Sequence, residues 1–211
     1  MIDQIGGIIW DWNGTLLNDI DLCVQTINEM LEKRGLPLLS VEKYKEVFSF
    51  PVKNYYEKIG FDFKEEPFEK PALEFIDRYN ARVCECSLQE NSLKVLDYFN
   101  SIGIRQFILS AMKQDALEKC LNYHQINHYF EHVSGLDNHY AESKIGNAHQ
   151  LISDFNLVAN ELVLIGDTVH DFEVGCELGC QCVLIANGHQ SKEVLASTGV
   201  LVIDELNQLL G

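Results

Sequence analysis

Ile8, Ile9 and Trp10 form an unbroken apolar run that stops at Asp11, followed by the turn signal Asn13-Gly14. So short an apolar run closed by a turn predicts a buried strand with Asp11 at its carboxyl end. The pattern recurs at Arg105–Leu109 before Ser110, at Glu161–Ile165 before Gly166-Asp167-Thr168, and at Cys182–Ala186. Briefer runs stand at 132–133 and 200–203. Between them, apolar residues fall at helical spacing over 89–102 (Leu93, Leu96, Phe99), near 113–122, over 144–155 and over 171–178, with a further helix after Ser191. Strands alternating with helices predict an α/β fold with a Rossmann-like, doubly wound parallel sheet.

The stretch from 20 to 86 breaks this alternation. Leu22, Ile27, Met30 and Leu31 predict a helix over 21–34, Ser40 caps another to about Phe50, and Val52–Ile59 forms a third. A fourth runs from Pro67 to about Cys84, where Pro71 places the start of the helix proper at that residue. No strand pattern occurs there. Roughly a hundred residues separate Asp11 from Ser110, yet a strand–helix–strand unit needs only about 30, which the helix at 89–102 can complete. The chain therefore divides into a core of 1–17 and 87–211 and an all-helical insertion at 18–86. Inserted directly after the first strand, it is placed to cover the strand ends as a cap.

Charge and composition narrow the partners. The 211 residues carry 32 acids against 16 Lys and Arg, a formal charge of −16. With no basic run to offset it, nucleic acid is excluded as a partner. No apolar stretch is long enough to span a bilayer, and the N-terminus lacks the features of a signal peptide, so a cytoplasmic protein is expected. Seven cysteines without a CxxC pair predict reduced, mostly buried thiols rather than disulfides or a zinc site.

Strand carboxyl ends and helix N-termini meet at one edge of a parallel sheet. Asp11, Ser110, Lys144, Asp167 and Asp171 all belong to that edge. Each has an ordinary alternative: Ser110 as a helix cap, Lys144 as a solvated lysine, Thr168-Val-His-Asp171 as a capping box. Together they make a cleft of three carboxylates and a lysine, costly to assemble unless a cation and an anion bind there.

In that order the motifs resemble those of the haloacid dehalogenase superfamily, in its phosphatase branch with a helical cap. Asp11-Trp-Asn-Gly-Thr15, Phe107-Ile-Leu-Ser110, Lys144 and Gly166-Asp-Thr-Val-His-Asp171 carry the likeness, and the layout looks most like phosphoglycolate phosphatases. The resemblance implies a Mg²⁺-dependent hydrolase of a small phosphorylated metabolite. Asp11 would be the nucleophile that forms an aspartyl-phosphate. Mg²⁺ would be held by Asp11, the backbone carbonyl of Asn13 and Asp167, with Asp171 as a ligand or its support. Gly14, Thr15, Ser110, Ala111 and Lys144 would hold the phosphoryl group. Such phosphatases usually carry a general-acid aspartate two residues after the nucleophile, where this chain has Asn13. An amide cannot deliver a proton, a loss worth about 10²–10⁴-fold in rate, so a slow enzyme or one preferring good leaving groups is expected. Two alternatives keep the same site. One is C–P bond cleavage of phosphonoacetaldehyde through a Schiff base on Lys53, and the other is a non-catalytic phosphate-binding module.

Overall fold

The structure, a computed structural model, describes residues 5–136 and 144–210. Six strands, β1 (Gly7–Trp10), β2 (Arg105–Lys113), β3 (His132–Leu136), β4 (Leu162–Gly166), β5 (Gln181–Ile185) and β6 (Leu201–Ile203), form one sheet in the order β3-β2-β1-β4-β5-β6. Every neighbouring pair is parallel. Alternate side chains of a strand point to opposite faces. Ile8, Trp10, Ile108, Val163 and Ile165 therefore pack with α5 (Ser92–Ser101) and α6 (Gln114–His124) on one side. Ile9, Phe107, Leu109, Leu162 and Leu164 pack with α7 (Lys144–Asp154) and α8 (Val169–Leu178) on the other. Burial on both faces is why these strands read as continuous apolar runs.

From β1 the chain moves to β2 and β3 on one side, then returns to β4 on the other. That reversal opens a crevice at the carboxyl ends of β1 and β4, the usual ligand position in such sheets. Asp11 and Asp167 immediately follow these two strands.

Between β1 and α5 lie α1 (Ile20–Lys33), α2 (Val41–Val47), α3 (Val52–Lys58), α4 (Glu69–Asn80) and a one-turn 3-10 helix (Val83–Glu85), with no strand. Their buried residues, among them Ile27, Met30, Leu31, Tyr44, Tyr55 and Tyr79, join the same apolar cluster as Trp10 and Trp12. The chain closes through α9 (Lys192–Ala196) and a terminal 3-10 turn.

Two expectations need correction. Ser110 does not end its strand: β2 continues to Lys113, and its pairing with β3 slips in register between Leu109 and Lys113. Such an irregularity re-aims side chains at the end of a strand. In addition, α4 starts at Glu69, not at Pro71. Pro71 is its third residue, in the first turn, where a backbone N–H has no intrahelical acceptor and the ring costs nothing.

Candidate active site

The short strand β1 delivers Asp11 to the crevice, and the Asp11 N–H is fixed by donating to the Ile165 carbonyl at 2.8 Å. The chain then turns sharply at Gly14, whose φ of +77° favours glycine. Space demands glycine as well: a Cβ there would lie 2.2 Å from Asp167 Oδ2. The Gly14 N–H donates to Leu17 O at 2.9 Å and to Asp19 Oδ1 at 2.8 Å. The lack of a side chain at Gly14 lets the turn lie against Asp167.

Lys144, the first residue of α7, is buried rather than solvated. Its Nζ donates to Asp11 Oδ1 and to Asp171 Oδ1, both at 2.6 Å. Carboxylate oxygens of Asp11, Asp167 and Asp171 all lie within 4.8 Å of one another. Thr15 Oγ1 stands between two of them, 3.1 Å from Asp167 Oδ1 and 3.4 Å from Asp11 Oδ2. Asp171 is also the capping-box residue of α8: its Oδ2 accepts from Thr168 N at 3.0 Å while Thr168 caps the helix. One Asp171 oxygen thus serves the helix cap and the other meets Lys144.

Charge in this crevice is out of balance. Burial, with Asp171 and Asp167 adding repulsion, lifts the Asp11 carboxyl to about 8 despite Lys144. Burial lifts Asp167 as well, to about 6. Burial also opposes ionisation of Asp171, but Lys144 and Thr168 overcome it and hold that group below the usual carboxylate range. Lys144 stays charged, since Asp11 and Asp171 outweigh the effect of its burial. One ammonium thus faces three carboxyls, all of them hard oxygen donors, a set suited to Mg²⁺.

Ser110 and Asn13 meet across the crevice, Ser110 Oγ lying 3.4 Å from Asn13 Oδ1 and accepting from Met112 N at 3.0 Å. Ala111 is half-buried beside Ser110. The other end of the Asn13 amide is committed: Nδ2 donates to Tyr79 Oη at 2.7 Å and to Asp19 Oδ2 at 3.2 Å. Tyr79, from α4, also donates to Asp19. His189 completes the group, with Nε2 at 3.2 Å from Asp19 Oδ1, Nδ1 at 3.0 Å from Tyr44 Oη of α2, and its N–H donating to Asp167 Oδ2. Asp19 and His189 hold each other charged. Burial opposes both, but the pairing keeps Asp19 low and lifts His189 to about 9.

Sequence reasoning missed Asp19, Tyr79 and His189. Asp19 follows the Asn13-Gly14 turn and Gly188-His189 follows β5 at the same sheet edge, so their placement was a usable signal. Tyr79 gave none, being one apolar position of a helix. Lys53 is an exposed residue whose ammonium rests 5.7 Å from the centre of the Phe63 ring.

A family model for haloacid dehalogenase-like hydrolases matches residues 8–185. The chain belongs to that family. Among relatives in it, the phosphoglycolate phosphatase of Aliivibrio fischeri is 22% identical over 100% of this chain and 97% of its own. The tyrosine-protein kinase PtkA of Mycobacterium tuberculosis is 21% identical over 97% of this chain and 72% of its own. A haloacid dehalogenase-like hydrolase from Streptococcus pneumoniae shares the fold with a TM-score of 0.84, at 18% identity over 98% of this chain and 97% of that one.

Proposed function

We propose that this hydrolase is a phosphatase of small phosphorylated metabolites, with Asp11 as nucleophile. The observation that carries this is the buried Asp11 carboxylate at the end of β1, 2.6 Å from Lys144 and beside Asp167 and Asp171. Three carboxylates against one ammonium fit a divalent cation, and Asp11, Asp167, Asp171 and the backbone carbonyl of Asn13 are the groups that would hold Mg²⁺. The ion supplies the positive charge that ionises Asp11 and offsets a phosphoryl group. An Asp11 oxygen attacks phosphorus, the leaving oxygen departs, and water hydrolyses the resulting acyl phosphate. Lys144 orients Asp11 and stabilises equatorial charge, while Ser110 and the backbone at Ala111 bind phosphoryl oxygens. The helices of 18–86 act as the cap, since Tyr79 and Tyr44 reach from them into the network behind the site.

Asn13 selects among substrates. Both amide hydrogens face Asp19 and Tyr79, so position 13 offers no proton to a leaving alkoxide. The preferred substrates are therefore acyl and aryl phosphates, whose leaving groups depart unprotonated. The test is a Mg²⁺-dependent hydrolysis screen across alkyl, aryl and acyl phosphates with Asp11→Asn as the blank. Aryl and acyl phosphates should turn over at least ~10²-fold faster than alkyl ones. Activity that survives Asp11→Asn cannot come from this site, and equal rates across the three classes sink the role given to Asn13.

A further inference from the structure

Cys84 and Cys120 bring their sulfurs to 2.8 Å of one another, both as free thiols. Cys84 lies in the 3-10 helix Val83–Glu85, where the chain returns from the helical insertion. Cys120 lies in α6, the helix that directly follows β2 and its site residues Ser110 and Ala111. Closing the gap to a sulfur–sulfur bond of about 2.05 Å takes a side-chain adjustment of less than an ångström. The two thiols differ in access: Cys84 is half-buried and Cys120 fully buried. A small oxidant therefore reaches Cys84 first, and Cys120 meets only what has formed on its neighbour.

We propose that Cys84 and Cys120 form a redox modification site, oxidised by small hydroperoxides to a disulfide that fastens the return arm of the helical insertion to α6. The Cys84 sulfur attacks the outer peroxide oxygen and breaks the O–O bond. This gives a sulfenic acid and releases the hydroperoxide as water or an alcohol. The Cys120 sulfur then attacks the Cys84 sulfur. The S–O bond breaks, and the departing hydroxyl leaves with the Cys120 proton as a second water. Two thiols are oxidised, one hydroperoxide is reduced, and no other reactant is needed. The bond closes a loop between residues 36 apart and fixes the end of α4, which carries Tyr79.

The test exposes the purified full chain to stoichiometric hydrogen peroxide, alkylates the remaining thiols, and maps unreduced peptides by mass spectrometry. The expected product is a Cys84–Cys120 cross-linked peptide two hydrogens lighter than its parts, reversed by a thiol reductant. Oxidised protein should melt on the order of 10 °C higher and show slower amide exchange over 79–86. Cys84→Ser and Cys120→Ala should each lose the cross-link and the shift in melting temperature, while Cys86→Ser keeps both. Recovery of Cys84 as sulfinic acid, of both thiols still alkylatable, or of Cys84 bonded to any other cysteine overturns the proposal.

Discussion

Asn13 has its amide turned away from the crevice. Nδ2 serves Asp19 and Tyr79, and only Oδ1 looks toward Ser110. An aspartate there would lose both donated hydrogen bonds and sit beside the Asp19 carboxylate, which disfavours its ionised form. A protonated carboxyl is what a general acid requires. Asn13→Asp should therefore raise kcat for alkyl phosphates by about 10²-fold or more while lowering the melting temperature, because the bonds that Nδ2 donates to Asp19 and Tyr79 are lost. Steady-state kinetics and a thermal melt on the same preparation check both halves; unchanged turnover of alkyl phosphates would contradict the account of Asn13. At this scale the sequence was informative where a residue's place fixed its partners. Asp11 and Asp167 end adjacent strands and Lys144 opens a helix, so their meeting was foreseeable. That the Gly14 N–H would donate to Asp19 was not, because the acceptor depends on how the turn folds back.

The elements followed the periodicity closely, and the departures have local causes. β2 outran its apolar stretch because β3 continues alongside it to Leu136 and offers hydrogen-bonding partners. α8 begins at Val169 rather than at 171 because Thr168 caps it. The helical insertion is tied together by charge as well as by apolar packing. Glu74 of α4 accepts from Arg34 Nη2 at 2.8 Å and from Lys33 Nζ at 3.0 Å. Burial pushes the Glu74 carboxyl up, but Arg34 and Lys33 overcome it and hold the group at about 2, against an ordinary 4.5. A carboxyl depressed on folding contributes stability above its unfolded pKa and loses it as pH falls toward the folded one. Glu74→Gln should thus lower the melting temperature at pH 7 by an amount that shrinks as pH falls from 4.5 toward 2. A deficit that stays constant or widens over that window would show that the ion pairs are not its source.

Across the whole molecule, a formal charge of −16 disfavours the compact state, and three of those acids converge on one crevice. On the proposed function, Mg²⁺ bound there would relieve both. Saturating Mg²⁺ should raise the melting temperature of the wild type by several degrees over a sodium control of equal ionic strength. Asp167→Asn should lose most of that rise. Equal shifts in the two proteins would place the effect in general screening instead. No helix among the described residues is long and apolar enough to cross a membrane.

What the sequence determined by itself is what depends on order along the chain. Apolar runs of strand length, helical spacing between them and a strandless stretch after the first strand specify a parallel sheet with a helical insertion. Where each run stops specifies which carboxylates reach the shared edge. Only the tertiary structure decided what those groups do to one another. Lys144 divides its charge between Asp11 and Asp171, Asp19 and His189 pair beneath the Gly14 turn, and Tyr79 arrives from α4 to hold Asn13. These contacts join residues distant in the chain through side-chain directions and burial. A one-dimensional pattern carries neither, because both are set when the insertion packs against the sheet.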